Sequence, residues 1–358
     1  MNFRSYMVPD LSDTRKEQLS QRQKDSLIKQ GYRLVGDHSA VKICEWTKKS
    51  LRNHGNCYKY TFYGIRSHQC MQMTTSMYCA SRCKFCWRGE KAPVGTKWYG
   101  PIDEPRFIID ESIKNHMKLM TGFGSHKEAT EEKKKEAKEI RHVALSLTGE
   151  PITYPLLPEI LKDFHDQKIS TFLVTNAQFP EAIEKIDHVT QLYLSIDAPT
   201  KEKLKKIDRP ILKDFWERMN RSLDLLKTRK YRTCIRLTMI KDENAEDFEK
   251  YAELIERGEP DFVELKSYVW VGASQESYKV PNMPYMEDMN QYTEELLKHL
   301  PDYEYLASHP KSRAILIGKK SLNKKRWIDF NRFFELAKNN IQDYTSEDYS
   351  KEIIQPNN

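Results

Sequence analysis

No run of about 18 apolar residues occurs in the 358-residue chain, so a membrane-spanning helix is not expected. The opening MNFRSYMVPD lacks the basic-then-apolar layout of a signal peptide, and the chain reads as a cytoplasmic protein. Pro-rich and Gly/Ser-rich linkers are missing as well, so no break in composition marks a domain boundary. Cysteine is nearly absent beyond position 86, where only Cys234 remains; the other six lie between Cys44 and Cys86. Such crowding in a long intracellular chain argues against a disulfide framework and for metal ligation or catalysis. Hydrophobic residues, 39% of the whole, supply a sizeable core, and charged residues make up 31%. The net charge of +7 permits an anionic partner such as RNA without requiring one.

The first 30 residues read as a charged helix that stops at Gly31. From Gln69 onward, strand-like apolar runs alternate with amphipathic helical ones, the pattern of repeated βα units around a parallel sheet. Strands are expected near 69–75, 142–147, 171–175, 191–196, 234–240 and 262–269. Six units predict an α/β fold, a partial (β/α)6 TIM-like barrel. Its parts are a helical extension over 1–43, a cysteine-bearing segment over 44–75, a core barrel over 76–275 and a C-terminal extension over 276–358. Parallel barrels gather their chemistry at the C-terminal ends of strands. That points to Thr148–Pro151, Asn176, Ser195 with Asp197, and Lys266. The run KEATEEKKKEAK over 127–138 reads as a solvated helical insertion.

Cys79, Cys83 and Cys86 stand in C-x3-C-x2-C spacing just after the first predicted strand. Soft thiolates in a tight loop suit an iron-sulfur cubane, and three of them leave one of its four irons open. That open iron could chelate the amino and carboxylate groups of S-adenosylmethionine (SAM). A zinc site is the alternative, with His68 as a conceivable fourth ligand, although structural zinc favours closed four-ligand sets. The loop resembles the signature of the radical SAM superfamily, with Phe85 in its aromatic position. Thr148-Gly149-Glu150-Pro151 is similar to that superfamily's methionine-binding motif, Thr148 replacing a glycine. The resemblance implies that Asn176, Ser195 and Asp197 also hold the cofactor. Taken singly, TGEP could be a turn, Asn176 a C-cap and Asp197 an N-cap.

Cys44, Cys57 and Cys70 are each separated by 12 residues. They could be small core residues, but they sit among Lys, Tyr and His rather than aliphatics, and three thiols again suggest a cubane with an open iron. The stretch over 38–88, with SIDAPTKEKLKKIDRP and FVELKSYVWVGAS further on, resembles the tRNA 4-demethylwyosine synthase family over roughly residues 30–335. The resemblance implies two [4Fe-4S] clusters and SAM. It implies a carbon-carbon lyase activity that joins two carbons of pyruvate to N1-methylguanosine at position 37 of tRNA(Phe), closing a third ring and releasing carbon dioxide. Lys59 matches the family lysine that engages pyruvate, and Lys266 is a second candidate.

No flavodoxin-like FMN domain fits into the residues before Cys44, so the archaeal-type single-module form is expected, with an external flavodoxin- or ferredoxin-type reductant and a monomeric state. Aromatics and cations from Tyr58 to Arg66, and the basic run GKKSLNKKRW over 318–327, are candidate RNA contacts. Two rival readings stay open: another two-cluster radical enzyme acting on RNA or peptide, and a zinc-stabilised RNA-binding protein.

Overall fold

The computed structural model describes residues 16–89, 91–122 and 128–353. The charged N-terminal run forms a helix over Gln21–Lys29, opened by a Ser20/Gln23 capping box. It ends before Gly31, whose φ of +86° continues no helix; the part of the expected helix over 1–15 lies outside the described residues.

Ten strands make one sheet: β1 (Arg33–Val35), β2 (Ser39–Lys42), β3 (Cys70–Thr74), β4 (His142–Leu145), β5 (Ser170–Thr175), β6 (Gln191–Ser195), β7 (Arg232–Met239), β8 (Phe262–Ser267), β9 (Tyr303–His309) and β10 (Ala314–Lys319). Their order is β1-β2-β3-β4-β5-β6-β7-β8-β10-β9. β3 to β8 pair in parallel, in chain order. These are the six strands expected from the sequence. Their runs, such as HVAL and STFLVT, are buried almost throughout because helices cover one side and inserted segments the other.

The sheet is not closed into a barrel, since β1 and β9 stand at its two edges. The segment up to residue 43, expected to be a helical extension, instead ends in the hairpin β1–β2, which joins β3 antiparallel. Strands of three and four residues are too short for a period-2 pattern to stand out. At the other edge β10 pairs antiparallel with β8, so residues from the expected C-terminal extension complete the same sheet.

The crossovers are helical, with Pro105–Met120, Leu157–Asp166, Phe215–Lys227 and Phe248–Gly258 among them. The Glu/Lys-rich insertion is a helix with no buried residue, as expected, but it is also tethered to the rest of the chain. Its helix, Glu131–Glu136, docks on the 50–68 segment through Lys133 Nζ to Ser50 O (2.9 Å) and Glu136 to His68 Nε2 (2.7 Å). Among the described residues no helix is long and apolar enough to cross a membrane.

Candidate active site

β3 ends at Thr74, and hydroxyls turn the chain at once: Thr74 Oγ1 donates to Ser76 O (2.8 Å) and Thr75 Oγ1 to Pro151 O (2.9 Å). The following thiol loop is sewn down on two sides. Cys79 exchanges backbone bonds with Pro93 and Gly95, while the amides of Arg82 and Lys84 donate to Asp208 O (3.0 Å) and Ile207 O (2.9 Å). The Cys86 amide closes a turn on Cys83 O at 3.0 Å, and Phe85 packs its ring against the main core. Burial raises the Cys79 thiol to about 12 and Cys83 well above its ordinary value. Bound iron, which demands thiolates, would reverse that protonation.

Arg88 was not anticipated from the sequence. It reaches over the loop with Nη1 on Met77 O at 3.0 Å; burial opposes its charge, but Cys79 and Cys86 favour it enough to raise its pKa. A cation two residues beyond Cys86 is the only signal in the sequence.

Gly149 follows β4 with φ +65°, and a Cβ there would lie 1.9 Å from Ser76 O. Only glycine lets these two backbones meet. The contact delivers Glu150, 3% exposed, beneath the thiol loop. One carboxylate oxygen accepts from the Asn176 amide at 3.2 Å; the other, Oε1, has no hydrogen-bond partner among the described residues. Burial raises Glu150 to about 7. A buried oxygen without a donor fits an ammonium group such as that of the SAM methionine.

Asn176 touches the same centre, its Nδ2 lying 3.4 Å from Cys79 Sγ. Ser195 closes β6, half-buried, and Asp197 accepts from the Thr238 amide at 3.3 Å. Asp197 is not a helix cap: Thr200 caps Lys201–Asp208. Burial lifts Asp197 to about 6 and Asp208, close to Cys83 and Asp197, well above its ordinary value. Thr148, Gly149, Glu150, Asn176, Ser195 and Asp197 all lie at or just beyond strand C-terminal ends, and Glu150, Asn176 and Asp197 neighbour the first thiol loop.

The second thiol set forms differently. Cys44 precedes the helix Glu45–Leu51, Cys57 precedes the helix Tyr58–Tyr63, and Cys70 opens β3. The three are electrostatic neighbours: burial, then Cys44, raises Cys57 to about 11, and burial raises Cys70 to about 12 with Cys44 and Cys57 adding to it. His68 is not available as a zinc ligand, since Nδ1 meets Ser50 Oγ at 3.0 Å and Nε2 meets Glu136 at 2.7 Å. Among the described residues no three His, Cys, Asp or Glu side chains converge as a single ion requires. A cubane asks for less convergence, because its thiolates attach to different irons.

The helix Tyr58–Tyr63 carries Lys59 into the sheet's interior. Its Nζ lies 5.4 Å from the Phe172 ring and 5.1 Å from the Tyr193 ring, and the residue is 8% exposed. Lys266, on β8, lies 5.4 Å over the Tyr58 ring and donates to Ser312 O at 3.2 Å. Burial, aided by Arg236, lowers its pKa to about 8. The basic run over 318–327 divides. Arg326 Nη1 donates to Thr61 O and to Phe62 O (3.3 Å), and Trp327 Nε1 to Thr61 O (3.4 Å), so both cap the Lys59 helix from below. Gly64 makes room for them, since a Cβ there would press on the Trp327 ring at 3.1 Å. A cavity of about 760 Å³ opens beside Tyr60, Arg141, Lys168 and Trp327, at the N-terminal ends of the strands and away from Glu150.

Comparison with known proteins agrees with this geometry. The radical SAM superfamily matches residues 73–255, and the wyosine base formation family matches residues 257–319. The mouse S-adenosyl-L-methionine-dependent tRNA 4-demethylwyosine synthase TYW1 is 47% identical over 319 residues, covering 88% of this chain and 44% of the mouse protein. The fission yeast enzyme of the same name is 44% identical over 340 residues, covering 90% and 49%. The chain spans about half the length of these curated relatives. A solved structure of TYW1 with a lysine-pyruvate adduct bound superposes with a TM-score of 0.77 at 36% identity, covering 88% of this chain and 99% of that one. Archaeal TYW1 gives 0.70 at 33%, covering 85% and 97%. Radical SAM membership implies one [4Fe-4S] cluster and SAM, which the thiol loop and the unpartnered Glu150 oxygen fit. The chain belongs to the TYW1 family of tRNA 4-demethylwyosine synthases, within the radical SAM superfamily.

Proposed function

We propose that this chain condenses two carbons of pyruvate with N1-methylguanosine-37 of tRNA(Phe), forming the tricyclic base 4-demethylwyosine and releasing carbon dioxide. The observation that carries the reading is Lys59, two residues from Cys57, buried against Phe172 and Tyr193 inside the sheet. A lysine-pyruvate adduct in a relative of the same fold supports it.

Cys79, Cys83 and Cys86 would hold the first cluster, and Glu150, Asn176 and Asp197 would orient SAM beside it. Together these groups supply a 5′-deoxyadenosyl radical when bound. Cys44, Cys57 and Cys70 would hold a second [4Fe-4S] cluster. Lys59 attacks the pyruvate carbonyl: its nitrogen bonds C2, and the carbonyl oxygen leaves as water. Phe172 and Tyr193 exclude bulk water and so favour the imine. Lys266, with its lowered pKa, exchanges protons near neutral pH. The guanine is splayed out of the anticodon loop to reach the strand ends. The reducing electron comes from a flavodoxin- or ferredoxin-type protein, and the chain acts as a monomer in the cytoplasm.

The test is to incubate the reduced protein with SAM, pyruvate and tRNA(Phe) bearing N1-methylguanosine, then weigh the nucleosides. The tricyclic nucleoside is expected. Its absence while 5′-deoxyadenosine is being formed refutes the substrate assignment.

A further inference from the structure

Inside the sheet, behind Lys59, lies a group of charges of which the proposed chemistry has used only Lys266. Arg236 on β7 and Glu264 on β8 are register partners, and Lys266 follows two residues on, on the same face. The helix bearing Lys59 touches both strands through phenols at its two ends. Arg236 Nη2 donates to Tyr58 OH at 2.8 Å, and Tyr63 OH donates to Glu264 Oε1 at 2.8 Å. The Tyr58 ring also has the Arg236 guanidinium at 5.9 Å and Lys266 Nζ at 5.4 Å.

Three cations, Lys59, Arg236 and Lys266, share this interior with one carboxylate, Glu264; the two lysines also neighbour the buried Cys57 and Cys70 thiols, which leaves Arg236 as the cation with no thiol beside it in the second set. That carboxylate does not occupy the guanidinium: its Oε2 stands 3.9 Å from Arg236 Nε and makes no hydrogen bond, although Glu264 is fully buried. Arg236, its side chain only 18% exposed, therefore keeps most of its five donors for something else. With one phenol and one distant carboxylate as its polar partners among the described residues, the guanidinium keeps charge-assisted donors that an incoming anion can take. Lys266 is a poorer receptor, because its ammonium already donates to Ser312 O and offers no planar fork.

We propose that Arg236 is the specificity residue for the 2-oxo acid, its free guanidinium edge receiving the substrate carboxylate while Lys59 bonds the carbonyl carbon. This rests on Lys59 being the lysine that engages pyruvate. Tyr58 fixes the guanidinium from behind, so the carboxylate meets a preset pair of N–H groups.

The test compares borohydride trapping of labelled pyruvate with that of pyruvamide, which has the same carbon skeleton and no charge, in holoprotein carrying both clusters. Wild type should prefer pyruvate by roughly 100-fold or more. Arg236→Gln should reduce that preference at least about tenfold through loss of the pyruvate rate alone, with pyruvamide within about threefold of wild type. Arg236→Lys keeps the charge and loses the fork, and should raise the half-saturating pyruvate concentration about fivefold or more. Iron content and SAM cleavage report whether each variant is folded; if Arg236→Gln is not, Arg236→Lys decides. A preference undiminished in Arg236→Gln, or unchanged half-saturation in Arg236→Lys, overturns the assignment while leaving Lys59 in place. Trapping in Lys59→Ala at the wild-type level overturns the reading beneath it, and this proposal with it.

Discussion

Replacing Gly149 by Ala tests the geometry on which SAM binding depends. The new Cβ would stand 1.9 Å from Ser76 O, 2.8 Å from Met77 C and 2.9 Å from Met77 Cα, all backbone atoms that no rotamer change can move. The left-handed φ of +65° adds its own penalty of about 1–2 kcal/mol for a residue with a Cβ. Overpacking against a rigid neighbour adds about 1–3 kcal/mol more, so unfolding by urea should reveal a loss of about 2–5 kcal/mol. The functional effect is larger than one methyl group suggests. To make room, the 76–77 segment must move by more than about 1 Å, and a shift of that size at a reacting centre costs on the order of 100-fold. Met77 leads through Tyr78 into Cys79, and the same shift separates Glu150 from the thiol loop. Formation of 5′-deoxyadenosine in the absence of tRNA, driven by dithionite, should therefore fall roughly 100-fold, equivalent to about 2.7 kcal/mol of barrier. A Gly149→Ala protein with wild-type stability and wild-type SAM cleavage would refute the close approach of the β3 and β4 ends.

Replacing Cys44, Cys57 and Cys70 together by Ala should lower reconstituted iron from about eight to about four atoms per chain, with SAM cleavage retained and the tricyclic nucleoside lost; unchanged iron content removes the second cluster from the scheme. Burial holds His116 at about 4 and His142 and His165 at about 3, all below the ordinary imidazole value. Each contributes stability that is present above about pH 6.5 and lost as pH falls, about 1 kcal/mol apiece between pH 7 and 5.5. His116→Leu, which deletes two ring nitrogens that make no hydrogen bonds, should flatten this acid limb by its share in urea titrations at the two pH values; an unchanged slope contradicts the burial argument. Arg326→Ala removes a charged cap from the Lys59 helix and should cost about 2 kcal/mol in the same assay. Thermal and urea midpoints equal to wild type would make that cap ornamental.

The strands were legible because β4 to β8 are short runs rich in apolar and β-branched residues, of length suited to a two-sided sheet. The thiol loop and the Gly149-Glu150 pair were legible because their chemistry needs close spacing along the chain. Arg236 and Glu264 were not read, though each carried a signal: a single charge flanked by apolar residues in a buried strand, in CIRLT and FVELK, must find a partner across the sheet. Arg326 and Trp327 misled in the opposite direction. Within GKKSLNKKRW they look like surface cations with an aromatic, yet their partners are the carbonyls of Thr61 and Phe62, more than 260 residues away along the chain. No local pattern encodes such a contact, because it depends on the two-stranded pairing of Trp327–Ile328 with Ser350–Lys351, which lays this segment beneath the sheet.

One strand links the two thiol sets. Cys70 is the first residue of β3, and the turn that starts toward Cys79 begins at its last, Thr74. A rise of about 3.3 Å per residue puts roughly 13 Å between those two Cα atoms. β3 is paired on both sides, with β2 and β4, so that spacing cannot stretch or slip. Lys59 enters this interval from the side on a six-residue helix, fixed at its ends by Tyr58 to Arg236 and Tyr63 to Glu264. Two thiol sets spaced by covalent geometry, with an amine held near one of them, form a frame in which a substrate need only be placed once. Lengthening β3 would separate the thiol sets without removing any ligand. A two-residue insertion between Met71 and Met73 keeps the face of every side chain, because the strand period is two, and adds about 7 Å to the spacing. Both clusters and SAM cleavage should survive this change while nucleoside formation is lost; product formed by such a protein would mean that the distance along β3 plays no part in the reaction.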